Sequence, residues 1–301
     1  MTQLGETVAF GMIGDDEIEC TFSHDKKGKV SNKLSKNATT LGSRMESGTS
    51  TRLWKQDGDD YSEATNKEAA LEQIKVKECD DRNGVDVRLD GGETINLPFS
   101  VAAHHLIPTK ASFTKSSVMK YVSASASGSK IESDIGYDVN GSENGLWLPT
   151  HHGLSSEMGS KGSRKLPGES KKVSYGSVSK EGGGQVASFV TLYTSAVMEQ
   201  TKRQFHDGHP NYSSFVTGCL NKVAAAIAKA SENCQKCNES DGDKSPAPYM
   251  LVRRLNGVSQ RLVTYLVGDP SGWRPPLFTS PHAELYCVNE IAFRKAMAGR
   301  S

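Results

Sequence analysis

Two adjacent histidines near the middle of the chain are the residues best suited to chemistry. His104 and His105 stand in the segment VAAHHLIP, where an apolar approach indicates a strand and Pro108 ends it. Neighbouring strand residues point to opposite faces, so the two rings can meet different surroundings. Neutral imidazole is a common metal ligand and also a base near neutral pH. The pair predicts metal-assisted hydrolysis, with His104 holding an ion and His105 taking a proton from water. Two histidines without a joint role are the alternative.

Further polar residues follow in two later segments, IGYDVNGSENGLWLP and FHDGHPNYSSFV. The ones suited to a site are Asp138, Asn140, Asn144, His206 and His209. Together with AAHHLIP, these segments resemble the AHH family of nucleases in the HNH and endonuclease VII superfamily. The resemblance covers about residues 100–216. It implies an α+β fold built on a ββα-metal core (a His-Me finger), in which two strands and a helix hold one divalent ion.

The resemblance implies a role for each matching residue. His104 becomes a metal ligand and His105 the general base. Asn144 matches the asparagine that ties the loop between the strands and keeps the base oriented. His209 becomes the second metal ligand, and His206 a third ligand or a phosphate contact.

Two departures from the family pattern affect the assignment of the third metal ligand. His206 and His209 have two residues between them, whereas colicin-type relatives place three between their helical histidines. The chain also inserts 56 residues between Pro149 and His206. His151 and His152 begin this insertion and compete for the third position, with a polar loop pair as the alternative.

The function implied by the resemblance is that of a metal-dependent endonuclease that hydrolyses DNA, without base specificity, using Mg²⁺, Zn²⁺, Ni²⁺ or Mn²⁺. Such nucleases serve as bacterial toxins, which implies an immunity protein, a secretion carrier and a type VI effector role. The protein would be made in the producer's cytoplasm and delivered into a target cell. An RNase of the same fold and a non-enzymatic zinc-binding module remain alternatives.

Composition restricts how nucleic acid can be bound. The 36 basic and 35 acidic residues give a formal charge of +1, so any phosphate-binding surface must be local. The insertion supplies one candidate in Lys161, Arg164 and Lys165, although a solvated Gly/Ser-rich loop is an equal alternative. No apolar run is long enough for a membrane span, and the N-terminus does not resemble a Sec signal.

Six cysteines without a secretory signal do not indicate a disulfide framework. Cys234 and Cys237 form CQKC, which has the spacing of half a structural zinc site. Cys219 or Cys287 would complete such a site. Buried free cysteines are the alternative.

Three regions are predicted. Residues 1–62 form a poorly ordered or docking segment with one short strand at most. Residues 63–232 form the nuclease core, which begins with a small β-meander and contains the basic insert at about 153–184. Residues 233–301 form the CxxC linker and a C-terminal helical extension.

Overall fold

The computed structural model describes residues 30–33, 37–47, 84–89, 92–122, 125–127, 130–133, 135, 137–150, 152, 185–232 and 251–298. Within these residues, helices and small antiparallel sheets confirm the predicted α+β class. The described residues form two compact units. The first unit takes them from 1–71, 103–146 and 210–263, and the second from 72–102, 147–209 and 264–301.

Seven strands and six α-helices occur in the described residues. The strands are β1 (Val30–Lys33), β2 (Val85–Arg88), β3 (Thr94–Leu97), β4 (Ser100–His105), β5 (Ser125–Ser127), β6 (Lys130–Ser133) and β7 (Gly145–Thr150). The helices are α1 (Asn37–Ser47), α2 (Met119–Val122), α3 (Gln185–Thr201), α4 (Pro210–Glu232), α5 (Leu251–Leu266) and α6 (Pro281–Ala298).

The strand that carries the histidine pair is joined to a strand far along the chain. β4 and β7 form a two-stranded sheet. The hydroxyls of Ser100 and Thr150 lie 3.3 Å apart, and the amide of Leu106 donates to the carbonyl of Asn144 at 2.9 Å. The start of β4 therefore meets the end of β7, so the two strands run antiparallel.

The predicted strands before the histidines form a hairpin. β2 pairs with β3 antiparallel, with Val85 opposite Leu97 and Val87 opposite Ile95. The alternation of apolar and charged residues places Val85 and Val87 in the core and exposes the residues between them. The sequence also favours a short helix over residues 63–71 and a strand around Ile74, and both lie outside the described residues.

Helix α4 of the first unit begins where the sequence predicts. Pro210 occupies its first position, where a missing N–H costs no intrahelical hydrogen bond. Apolar residues recur at helical spacing from Phe215 to Ile227, which predicts one buried face. Val216, Leu220, Val223 and Ile227 are buried as this pattern predicts, whereas Phe215 is only half-buried.

Helix α5 of the first unit follows the same pattern with one exception. The apolar residues Leu251, Leu255, Val258 and Leu262 recur at helical spacing in the sequence and are buried, as that spacing predicts. From the sequence, Arg254 is expected to face solvent or phosphate. It is only 8% exposed, which corrects that expectation. Burial lowers the pKa of Arg254, because the charged form loses solvation.

The second unit packs helix α3 against β2 and helix α6 against α3. Its core includes Phe99, Tyr193, Val197, Phe205 and Trp273. The helical pattern in the sequence continues from Val186 to Gln204, but the helix ends earlier, at Thr201, because Lys202 adopts a left-handed conformation with φ of 52°. Helix α6 lies within residues 233–301, for which the sequence predicts a helical extension. No described helix is long and apolar enough to cross a membrane.

Candidate active site

The two histidines of β4 differ in their exposure. His104 is 3% exposed, whereas His105 is half-buried. The ring of His104 lies edge-on against Tyr212 of α4, with centroids 5.3 Å apart. Strand alternation thus gives the pair the two different environments that the sequence predicted.

His105 is held by a side chain that sequence analysis named only as part of a motif. Its Nε2 lies 2.9 Å from Oδ1 of Asn140. With the carboxamide oxygen as acceptor, Nε2 carries the proton and Nδ1 carries the lone pair. Burial lowers the pKa of His105, and the hydrogen bond to Asn140 partly opposes this shift. The ring is therefore a neutral base at neutral pH.

Asn144 joins the loop before β7 to the end of β4. It is 1% exposed, its Oδ1 accepts from the Ile107 amide at 2.8 Å, and its Nδ2 donates to the Ile107 and Val139 carbonyls. Ser259 of α5 also donates to Oδ1, at 3.0 Å. Asn144 thus bonds the backbone around the pair, while Asn140 bonds the His105 ring itself.

His206 and His209 lie between helices α3 and α4, after the point where α3 has ended. The amide of His206 donates to the Pro149 carbonyl at 2.8 Å, and the amide of Asp207 donates to the Thr279 carbonyl at 2.9 Å. Buried Gln204 accepts from Thr279 and donates to the carbonyls of Tyr265 and Leu277. These bonds fix a segment that has no regular secondary structure.

The two rings of this segment face each other. His206 Nε2 and His209 Nε2 lie 3.2 Å apart, so one ring can donate a hydrogen bond to the other. Burial lowers the pKa of His209, which favours the neutral, metal-binding form; a backbone hydrogen bond and Asp207 oppose this shift.

The spacing of His206 and His209 fits a divalent ion. Two nitrogens bound to one ion at about 2.1 Å are themselves roughly 3.0–3.4 Å apart, and Nε2 of His206 lies 3.2 Å from Nε2 of His209. A site with fewer than four protein ligands keeps a position open for water or substrate, as in catalytic rather than closed structural sites. Imidazole donors suit Zn²⁺ and Ni²⁺ better than Mg²⁺.

Three of the remaining candidate residues lie within the described part of the chain. His152 is exposed, and its amide donates to Thr150 Oγ1. Cys219 and Cys287 are buried free cysteines. The other candidates lie outside the described residues: His151, Lys161, Arg164, Lys165, Cys234 and Cys237.

Two antiparallel strands, a following helix and histidines on the strand and before the helix are the features of a ββα-metal nuclease core. Residues 88–258 match a family described as AHH, a nuclease family of the HNH/ENDO VII superfamily with conserved AHH. The match covers more than half of the chain, so the protein belongs to this family of nucleases, which are hydrolases acting on nucleic acid. Searches of curated proteins and of solved structures found no match.

Proposed function

We propose that the protein is a metal-dependent endonuclease that hydrolyses phosphodiester bonds in DNA. The observation that carries the proposal is a neutral base held in a fixed orientation within the motif of a nuclease family. His105 is bonded to Asn140 and directly follows His104 in the AHH motif.

In the proposed mechanism, Nδ1 of His105 takes a proton from the attacking water. The water oxygen bonds to phosphorus as the bond from phosphorus to the departing oxygen breaks. Asn140 keeps the ring oriented through Nε2 and stabilises the imidazolium that forms, because its Oδ1 accepts from the N–H. His104, His206 and His209 would hold the divalent ion, whose chemistry is to neutralise charge on the phosphate and the departing oxygen.

Plasmid nicking by the purified protein tests this mechanism. Supercoiled DNA is incubated with Mg²⁺, Mn²⁺, Ni²⁺ or Zn²⁺, or with EDTA. We expect metal-dependent nicking that His105→Ala reduces at least ~100-fold, the usual contribution of a general base. His152→Ala is the matched control, since that histidine is exposed. Full activity of folded His105→Ala would overturn the assignment.

Two RNA substrates test which nucleic acid the protein cleaves. Single-stranded and duplex RNA are tested under the same conditions as the plasmid. Cleavage of RNA alone would make the protein an RNase with the same chemistry. Metal binding by a folded protein that cleaves neither polymer would favour the zinc-binding module.

We also propose that the protein is an antibacterial toxin effector, made in the producer's cytoplasm and delivered by a secretion carrier into a target cell. Its membership of the AHH family supports this role. Expression in a bacterial cytoplasm should arrest growth and degrade DNA, and His105→Ala should do neither. Co-expression of the protein encoded beside it should restore growth if that neighbour is the immunity protein. Unimpaired growth with the active nuclease would contradict the toxin role.

A further inference from the structure

Helix α1 lies outside residues 88–258, which match the family, yet it packs on the loop that carries the positioning asparagines. Leu41 and Met45 are 0% and 1% exposed. A Cβ added to Gly145, the residue after Asn144, would come 2.3 Å from the Met45 sulfur. Only glycine leaves room for this approach, so β7 begins directly against α1.

The same helix supplies a charge to the loop. Arg44 forms an ion pair with Asp138, whose side chain is 6% exposed. A carboxylate this deeply buried is costly to keep ionised without a cationic partner. Arg44 therefore favours the charged form of Asp138 and fixes its direction.

Asp138 in turn fixes Asn140. Its Oδ1 accepts a hydrogen bond from the Asn140 amide at 2.9 Å, a local turn typical of aspartate. The Asn140 side chain then meets Nε2 of His105, also at 2.9 Å. Three contacts in series connect Arg44 of α1 to the ring of the general base.

We propose that Arg44 is a positioning residue for hydrolysis, acting through Asp138 and Asn140 on His105; this inference rests on the proposed nuclease function. The N-terminal helix is thereby part of the catalytic apparatus. Loss of the Arg44 charge releases Asp138 from its fixed direction, loosens the turn and lets the His105 ring leave its productive orientation. Substrate binding is not affected, because Arg44 acts on the ring and not on the nucleic acid.

Steady-state cleavage of a short DNA duplex by the full chain tests the proposal. Arg44→Met keeps an aliphatic side chain of similar reach and removes the charge. We expect kcat to fall roughly tenfold, the lower end for groups that orient a site residue, with KM changed less than about twofold. Arg44→Lys should recover most of kcat. Ser43→Ala, on the exposed side of the same helix, is the matched control.

A double-mutant cycle separates positioning from simple loss of structure. Asp138→Asn can still accept from the Asn140 amide but lacks the charge that Arg44 recognises. If Arg44 acts through Asp138, Arg44→Met adds little to the defect of Asp138→Asn. If the losses of kcat in the two single variants multiply in the double variant, the proposal is overturned. A wild-type kcat in folded Arg44→Met would also overturn it. Thermal unfolding confirms that each variant is folded; if Arg44→Met is not, a wild-type kcat in Asp138→Asn overturns the proposal.

The two proposals fail in different ways. Absence of cleavage by the wild-type protein on every substrate and ion would refute the proposed function. Robust wild-type cleavage together with unaltered kinetics of the Arg44 and Asp138 variants would refute the positioning role alone.

Discussion

The hydroxyl of Tyr212 donates a hydrogen bond to the backbone carbonyl of Leu106 at 2.7 Å. Tyr212 stands near the start of α4, three residues after His209, and Leu106 directly follows His105. The bond is fully buried, and the same tyrosine ring packs edge-on against His104. One side chain thus fixes the end of β4, which carries the histidine pair, to helix α4.

Tyr212→Phe should destabilise the protein by about 1–3 kcal/mol, because it leaves the buried Leu106 carbonyl without this donor. The ring contact with His104 is retained. Urea unfolding measures the change as a lower midpoint with an unchanged slope. Ser214→Ala, an exposed position on the same helix, should leave the midpoint in place. Equal stability of Tyr212→Phe and wild type would show that this bond does not contribute.

Asn140→Ala should lower kcat by roughly 10–100-fold, the usual effect of removing a group that orients a site residue. Only the acceptor of the His105 Nε2 proton is lost, so the metal ligands stay intact. Calorimetric titration with Ni²⁺ should therefore give the wild-type affinity. A kcat equal to wild type would mean that His105 is oriented without Asn140.

The local signals in the sequence predicted much of the fold. The stripe from Val216 to Ile227 and the proline at position 210 predicted α4, because helical periodicity and first-turn proline depend on neighbouring residues alone. Alternation around Val85 predicted the hairpin for the same reason.

The contacts that join distant segments could not be predicted. The pairing of His105 with Asn140 spans 35 positions, and that of Asn144 with Ser259 spans 115. Neither follows from periodicity or local propensity. Helix α1 was missed because its buried residues, Leu41 and Met45, are few among Thr, Ser and Gly. A role for α1 at the site follows only from its contact with the loop before β7, which is far from α1 in the sequence.

Asn144→Ala should cost more stability than Ser259→Ala. Removing the carboxamide leaves three buried backbone groups without a partner: the Ile107 amide, the Ile107 carbonyl and the Val139 carbonyl. A loss of about 3 kcal/mol or more in the free energy of unfolding is expected. Loss of the Ser259 hydroxyl removes one of the donors to Asn144 and should cost only about 1 kcal/mol. Denaturant unfolding ranks the two variants. A reversed order would show that α5, rather than the carboxamide, holds the loop.

A divalent ion should stabilise the folded protein if the three histidines bind it. Ni²⁺ or Zn²⁺ at 100 times its Kd is expected to add about 2.7 kcal/mol, reversed by EDTA. His209→Ala should abolish most of this gain, because it removes one of the proposed ligands and leaves His206 without its neighbouring ring. His152→Ala should keep it. Thermal unfolding with and without ion measures the gain, and an equal gain in His209→Ala would place the ion elsewhere.

His282 should contribute to acid sensitivity of the second unit. Burial lowers the pKa of His282, although Asp207 opposes the shift, and its ring packs edge-on against Phe205. The folded state then binds a proton at His282 less readily than the unfolded state does. The contribution of the neutral His282 ring to the free energy of unfolding is therefore complete above about pH 6.5 and is lost as pH falls towards the folded pKa. Urea unfolding in EDTA at pH 8 and pH 5.5 should show a smaller loss for His282→Gln than for wild type. His152→Gln, which removes an exposed histidine, should lose as much stability as wild type between the two pH values. An unchanged loss in His282→Gln would assign the acid sensitivity to the other buried histidines.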